Sequence, residues 1–166
     1  MSSEADIAAA YKRAYAQFRY LTPIRADCGL LCGKLCCRGG DDDGMILFAG
    51  EEATPGEFTV TDVDLHGHPV RFAVCHGRCR REHRPLACRI FPLTPYLDEQ
   101  GRLTVIPDPR AKLKCPLLTV EMLPSVLPHF YDAVEVVFSA LLELDDMRPM
   151  LEAYSWMIGK YREFTG

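Results

Sequence analysis

All eight cysteines fall between Cys28 and Cys115, and the 27 residues before them and the 51 after them contain none. That confinement restricts the fold more than any other feature of the chain. A segment dense in cysteine, glycine and proline has few residues left for periodic burial, so bridges or ligation must help organise it. At 166 residues the chain is long enough to bury one ordinary core and does not need stapling. Hydrophobic residues at 48% and charged residues at 25% exclude a disordered chain. No apolar run approaches the roughly 18–20 residues of a membrane span. The stretch Met1–Ala10 carries Glu4 and Asp6 and lacks the basic start and apolar middle of a signal peptide. A cytoplasmic, reducing setting is therefore expected, and there clustered cysteines bind metal or do redox chemistry rather than form disulfides.

Charge divides the chain as the cysteines do. Residues 1–70 sum to −5, residues 71–114 to +6 and residues 115–166 to −5, for a net −4. A net acidic balance disfavours a general nucleic-acid binder. The basic block holds Arg78, Arg80, Arg81, Arg84, Arg89, Arg110, Lys112 and Lys114 among the cysteines. Four thiolates around one zinc leave two negative charges, as does a [4Fe–4S]2+ cube with four thiolates. Two such centres bring four negative charges into one domain, and buried charge needs compensation. Arg84 and Arg89, which flank Pro-Leu-Ala-Cys among apolar neighbours, are the expected supporting cations.

Periodicity places the elements. Residues 6–20 repeat Ile7, Ala10, Tyr11, Ala14, Tyr15 and Phe18 at helical spacing, with Pro23 just beyond. Met45–Phe48 suits a short strand, and Gly50-Glu51-Glu52 a helical turn. Residues 58–65 and 69–75 alternate like a hairpin about Gly67, and residues 93–97 and 103–106 like a second. Helices are expected over 128–144 and 149–163, each opened by a proline. The expected fold is α+β in a single domain over 1–166. It has a cysteine-rich, irregular and β-hairpin middle at 28–118, an N-terminal helix, and a helical tail at 119–166.

The first cysteine group is Cys28, Cys32, Cys36 and Cys37. On a straight helix Cys28 and Cys36 lie about 12 Å apart along the axis, too far to share an ion. Thiolates on one zinc, each at about 2.3 Å from it, lie within about 4 Å of one another. Gly29 and Gly33 allow the chain to curl instead. Adjacent Cys36 and Cys37 point apart in an extended chain, so they suit two different centres. The second group is Cys75 and Cys79 around Gly77, then Cys88 and Cys115, with Pro85, Pro92 and Pro116 stiffening the chain beside them. His76, inside the Cys75–Cys79 loop, is an alternative ligand, whereas His66 and His68 suit an exposed turn. Asp41-Asp42-Asp43 lacks the alternating oxygen ligands of a calcium loop and suits a solvated turn.

Cys36-Cys37-Arg38, Gly44-Met-Ile-Leu-Phe48, Gly50-Glu-Glu52 and above all Arg84-Pro-Leu-Ala-Cys-Arg-Ile-Phe-Pro92 resemble the bacterial and archaeal zinc- or iron-chelating proteins called the CxxCxxCC domain family. The resemblance covers about residues 28–118. It implies Cys28, Cys32, Cys36, Cys37, Cys75, Cys79, Cys88 and Cys115 as metal ligands. This chain departs from the family in having three residues, not two, between its first cysteines. A flagellin lysine N-methylase is distantly similar in cysteine pattern. The function expected is metal binding by thiolate centres, most simply zinc. The alternative is iron or [4Fe–4S] in an iron–sulfur electron carrier or enzyme. No phosphate loop or Gly-x-Ser-x-Gly is present, and no catalytic residue stands out.

Overall fold

The computed structural model describes residues 1–119 and 121–166. Helix α1 spans Glu4–Gln17, and Ser3 and Asp6 start it by exchanging hydrogen bonds between each side chain and the other's backbone amide. Its apolar stripe buries Ala10, Tyr11 and Ala14. A single turn, α2 (Gly29–Cys32), follows. Strands β1 (Gly44–Leu47), β2 (Phe58–Leu65) and β3 (His68–Cys75) form an antiparallel sheet in the order β1-β3-β2. Short α3 (Leu86–Ile90) leads into the hairpin of β4 (Leu93–Leu97) and β5 (Leu103–Pro107). Helices α4 (Pro128–Leu141) and α5 (Met147–Thr165) complete the chain.

The domain is α+β, as expected from the period change after Cys115. Two corrections apply. Gly50-Glu51-Glu52 is not helical: Gly50 takes φ +77 in a tight turn whose Glu51 amide donates to Phe48 O at 2.8 Å. Helix α5 begins before Pro149, which sits within its first turn, where a missing amide donor costs nothing.

The core lies between the helices and both sheets. Phe48 meets Phe138 edge-on at 4.8 Å and Tyr154 at 5.6 Å, and Phe18 meets Phe130 at 5.9 Å. Such pairs add to the burial of their area. Helix α5 is also pinned to the β2–β3 turn, where His66 stacks on Trp156 at 4.0 Å. Among the described residues no helix is long and apolar enough to cross a membrane.

Candidate metal centre

Eight free thiols line two adjoining cavities. The segment bearing Cys28, Cys32, Cys36 and Cys37 does curl. After α2, Gly33 and Lys34 both take φ +59 and reverse the chain into a 3-10 turn over Leu35–Cys37. The left-handed region is natural for glycine and costs lysine about 1–2 kcal/mol. Cys115 ends a turn in which its amide donates to Ala111 O at 2.8 Å, just before a 3-10 turn at Pro116–Leu118. Cys75 closes β3 opposite Phe58, Cys79 follows in the loop, and Cys88 sits within α3.

Two glycines bring the cysteine-bearing loops together. Gly39 and Gly77 adopt φ +76 and +77, and their backbones touch. A Cβ on Gly39 would lie 2.4 Å from Gly77 N, and one on Gly77 would lie 2.6 Å from Arg38 O. The clasp is completed by Gly40 N donating to Cys75 O at 3.1 Å and Cys75 N to Asp43 O at 2.7 Å. Lys114 reaches the same loop by pairing with Asp43 at 3.1 Å, which ties in the Cys115 arm.

The thiols influence one another in two overlapping sets. Burial raises the pKa of Cys28, and Cys115 and Cys32 reinforce that effect. Cys36 responds to Cys28, Cys32 and Cys115 beyond its immediate neighbour Cys37, whose hydrogen bond lowers its pKa. Burial raises Cys88, with Cys37, Cys75 and Cys79 adding to it. Burial likewise raises Cys75, which feels Cys37 and Cys79. Grouped by these influences, one tetrad is Cys28, Cys32, Cys36 and Cys115 and the other is Cys37, Cys75, Cys79 and Cys88, with Cys36 and Cys37 the strongest influence on each other across the two. They meet at Cys36 and Cys37, whose sulfurs are 3.8 Å apart. The surrounding space divides only in part the same way, since Cys36, Cys37 and Cys88 line both cavities. Cys28, Cys32 and Cys115 line only a cavity of about 230 Å³, and Cys75 and Cys79 only a second of about 520 Å³. Neither tetrad is drawn tightly around a point: among the described residues no group of three or more His, Cys, Asp or Glu side chains is placed to hold a metal ion as it stands.

The supporting cations separate. Burial opposes the charge on Arg84, but Cys79, then Cys37 and Cys88, raise its pKa overall. Its Nε–H is buried without an acceptor among the described residues. An unmet buried donor costs about 1–3 kcal/mol, so this atom needs an explanation. Arg89 differs from the sequence expectation. Its Nε donates to Arg84 O at 2.8 Å and an Nη to Glu82 O at 2.6 Å, while the guanidinium lies 4.5 Å above the Tyr15 ring. It shapes the 82–89 loop and gives no hydrogen bond to a thiol. The exposed side chain of Arg81 is felt by Cys28, and Lys34 by Cys37. His76 faces Thr59, Nε2 to Oγ1 at 2.9 Å.

Two supporting groups escaped the sequence patterns. Glu51, 1% exposed, accepts from Tyr15 Oη at 2.6 Å, Leu86 N at 2.6 Å and Phe48 N at 3.0 Å, and so locks the start of α3 beside Cys88. Asp108, also buried, pairs with Arg110 at 2.6 Å, and Arg110 donates to Tyr154 Oη at 2.7 Å. That knot anchors the arm leading to Cys115. The Gly-Glu-Glu motif holds one of these residues, but nothing local marks its carboxylate as internal.

The chain matches no model of a known protein family, no curated protein and no solved structure.

Proposed function

We propose that this protein binds metal through two four-thiolate centres, most simply zinc, in a reducing compartment such as the cytoplasm. The observation that carries the proposal is that the eight thiols line two adjoining cavities, with Cys36, Cys37 and Cys88 common to both. Thiolate-only sets of four suit tetrahedral zinc and iron–sulfur clusters alike. The orphaned Nε–H of Arg84 supports it further. A metal-bound thiolate in the second tetrad would give that donor a charged acceptor, and Lys34 and Arg81 would offset part of the remaining charge. Binding would draw each tetrad inward, because ligands of one zinc approach within about 4 Å of each other. The motif resemblance to the CxxCxxCC chelators points the same way.

A second reading has its own support. The first tetrad borders a cavity of about 230 Å³. A bare ion fills little of such a space, whereas a [4Fe–4S] cube has the bulk to occupy it and bonds to four thiolates at its corners. Anaerobic purification with metal and sulfide analysis decides between them. A colourless chain with two zinc ions supports the first, and a brown one with iron and acid-labile sulfide supports the second. A chain that takes up neither metal under reducing conditions refutes both.

A further inference from the structure

We infer that the outer edge of β2 docks an extended segment of a partner protein, basic at alternate positions, as a fourth strand of the β1-β3-β2 sheet.

The register decides which backbone groups face outward. Cys75 turns both of its backbone polar groups toward β1: its N–H donates to Asp43 O at 2.7 Å, and its carbonyl accepts from Gly40 N at 3.1 Å. Backbone direction alternates along an antiparallel strand. Val70, Phe72 and Val74 therefore face β2, where they stand opposite Val63, Thr61 and Thr59. Those residues of β2 bond to β3. Val60, Asp62 and Asp64 then direct their N–H and C=O groups away from the sheet, and among the described residues nothing meets them. The turn agrees with this phase. His66 and Gly67, at φ +51 and +82, form a two-residue hairpin turn, so the flanking pair Leu65 and His68 is a bonded one.

The edge is open and held in place. Pro55 bridges Phe58, so the free stretch begins beyond it. Residues 59–62 are all exposed, Val60 to 40%. Val63 and Leu65 pack against the core from the other face, and the His66–Trp156 stack fixes the turn. Neither proline nor lysine interrupts the strand. A preformed, unpaired edge of this kind is a template for strand addition, in which main-chain bonds give affinity and alternate side chains give specificity.

Charge selects the occupant. Val60, Asp62 and Asp64 share one face of the sheet. Arg71 stands opposite Asp62 but pairs with Glu52 at 3.1 Å. Among the described residues neither Asp62 nor Asp64 has a cationic partner; Asp64 accepts only from Gly67 N, at 2.9 Å. An antiparallel strand reading Lys-x-Lys-x-Val would set its lysines opposite Asp64 and Asp62 and its valine opposite Val60. A second copy of this chain fits poorly. Self-pairing brings four carboxylates into one short ribbon, and the register centred on Asp62 puts like charges directly opposite.

The test uses the full chain and the capped peptide Thr-Lys-Thr-Lys-Thr-Val-Thr, with a counterpart carrying glutamate for both lysines. Residue-resolved hydrogen exchange should show the free chain protecting Thr61 and Val63 but not Val60, Asp62 or Asp64. Saturating basic peptide should slow the latter three by about tenfold or more, and the glutamate peptide should not. Asp62→Asn with Asp64→Asn keeps an acceptor for Gly67 yet should weaken binding by about two- to thirtyfold, the worth of two cross-strand charge pairs. Val60→Pro deletes one outward N–H, which an edge strand tolerates. It should abolish the peptide's effect while Thr61 and Val63 stay protected. The inference is overturned if millimolar basic peptide slows none of the three amides, or if both peptides bind equally. Binding undiminished in Val60→Pro also overturns it. So does a dimer, seen by sedimentation, that protects the same three amides, since the edge then belongs to a second copy.

Discussion

Helices α4 and α5 and the segment from Cys28 to Cys37 are opposite solutions to holding a chain in place. The helices bury Phe130, Val134, Phe138, Met147 and Leu151 to 0% exposure. The cysteine segment buries nothing fully and reverses on two left-handed residues, Gly33 and Lys34. Burial of a large apolar side chain contributes about 1.5–3 kcal/mol, whereas ordering each backbone residue costs about 1–2 kcal/mol. The helical half meets that cost from its own packing. The cysteine segment does not, and under the proposed metal binding a ligand would offset it.

The sharpest way to break this contrast is to strip the proposed metal. Structural zinc sites in small peptides contribute apparent energies of about 10–16 kcal/mol, much of it as folding energy. A chelator should therefore abolish hydrogen-exchange protection in residues 28–44 and 75–89 while α4 and α5 stay protected. Equal protection with and without chelator refutes the coupling. The converse is Phe138→Ala, which removes an edge-on partner of Phe48 from the core. It should cost about 3–5 kcal/mol in denaturant unfolding and leave metal stoichiometry in the folded protein unchanged.

Gly77→Ala tests the junction of the two regions. Its left-handed φ and the 2.6 Å approach of the added Cβ to Arg38 O force the clasp apart. The strain is on the order of 1–3 kcal/mol, and metal analysis should show the second centre lost before the first.

Glu51→Gln probes the polar link between core and cysteine layer. One of its three donors would then oppose an amide NH2, a loss of about 1–3 kcal/mol. Burial holds the Glu51 carboxyl above its ordinary value near 4.5, against the hydrogen bonds from Tyr15, Leu86 and Phe48. Above that ordinary value the folded state binds more protons at Glu51 than the unfolded state does. This group's contribution is therefore full at acidic pH and is lost as pH rises through the folded pKa. Unfolding free energies measured across pH should show that slope in the wild type and not in Glu51→Gln.

The smallest effect is expected at Arg89. Arg89→Lys loses the forked donation to Arg84 O and Glu82 O, worth about 1 kcal/mol net. Because the loop it shapes presents Cys88, chelator competition should show metal affinity reduced by up to about tenfold. Unchanged affinity would confine Arg89 to packing on Tyr15.

What the sequence determined by itself was local. Apolar spacing sufficed for α1, α4 and α5, because each buries one face. Alternation around Gly67 and Gly101 sufficed for the hairpins. The distance between Cys28 and Cys36 already excluded a straight helix, and Gly33 marked where the chain turns. Tertiary structure decided the rest. Which thiols stand together depends on the Gly39–Gly77 approach and the Lys114–Asp43 pair, contacts between residues 38 and 71 positions apart. Lys34, unlike Gly33, carries no local sign that it will adopt a left-handed conformation. Arg89 resembled a partner for thiolates from its neighbours in sequence, yet carbonyls at Glu82 and Arg84 take its donors. The sequence places Glu51 in a helical turn, and only the arrival of Leu86 and Tyr15 makes its carboxylate internal. Periodicity reports which face of an element meets the core; it does not report which loops meet each other, and both tetrads are made of loops and element ends.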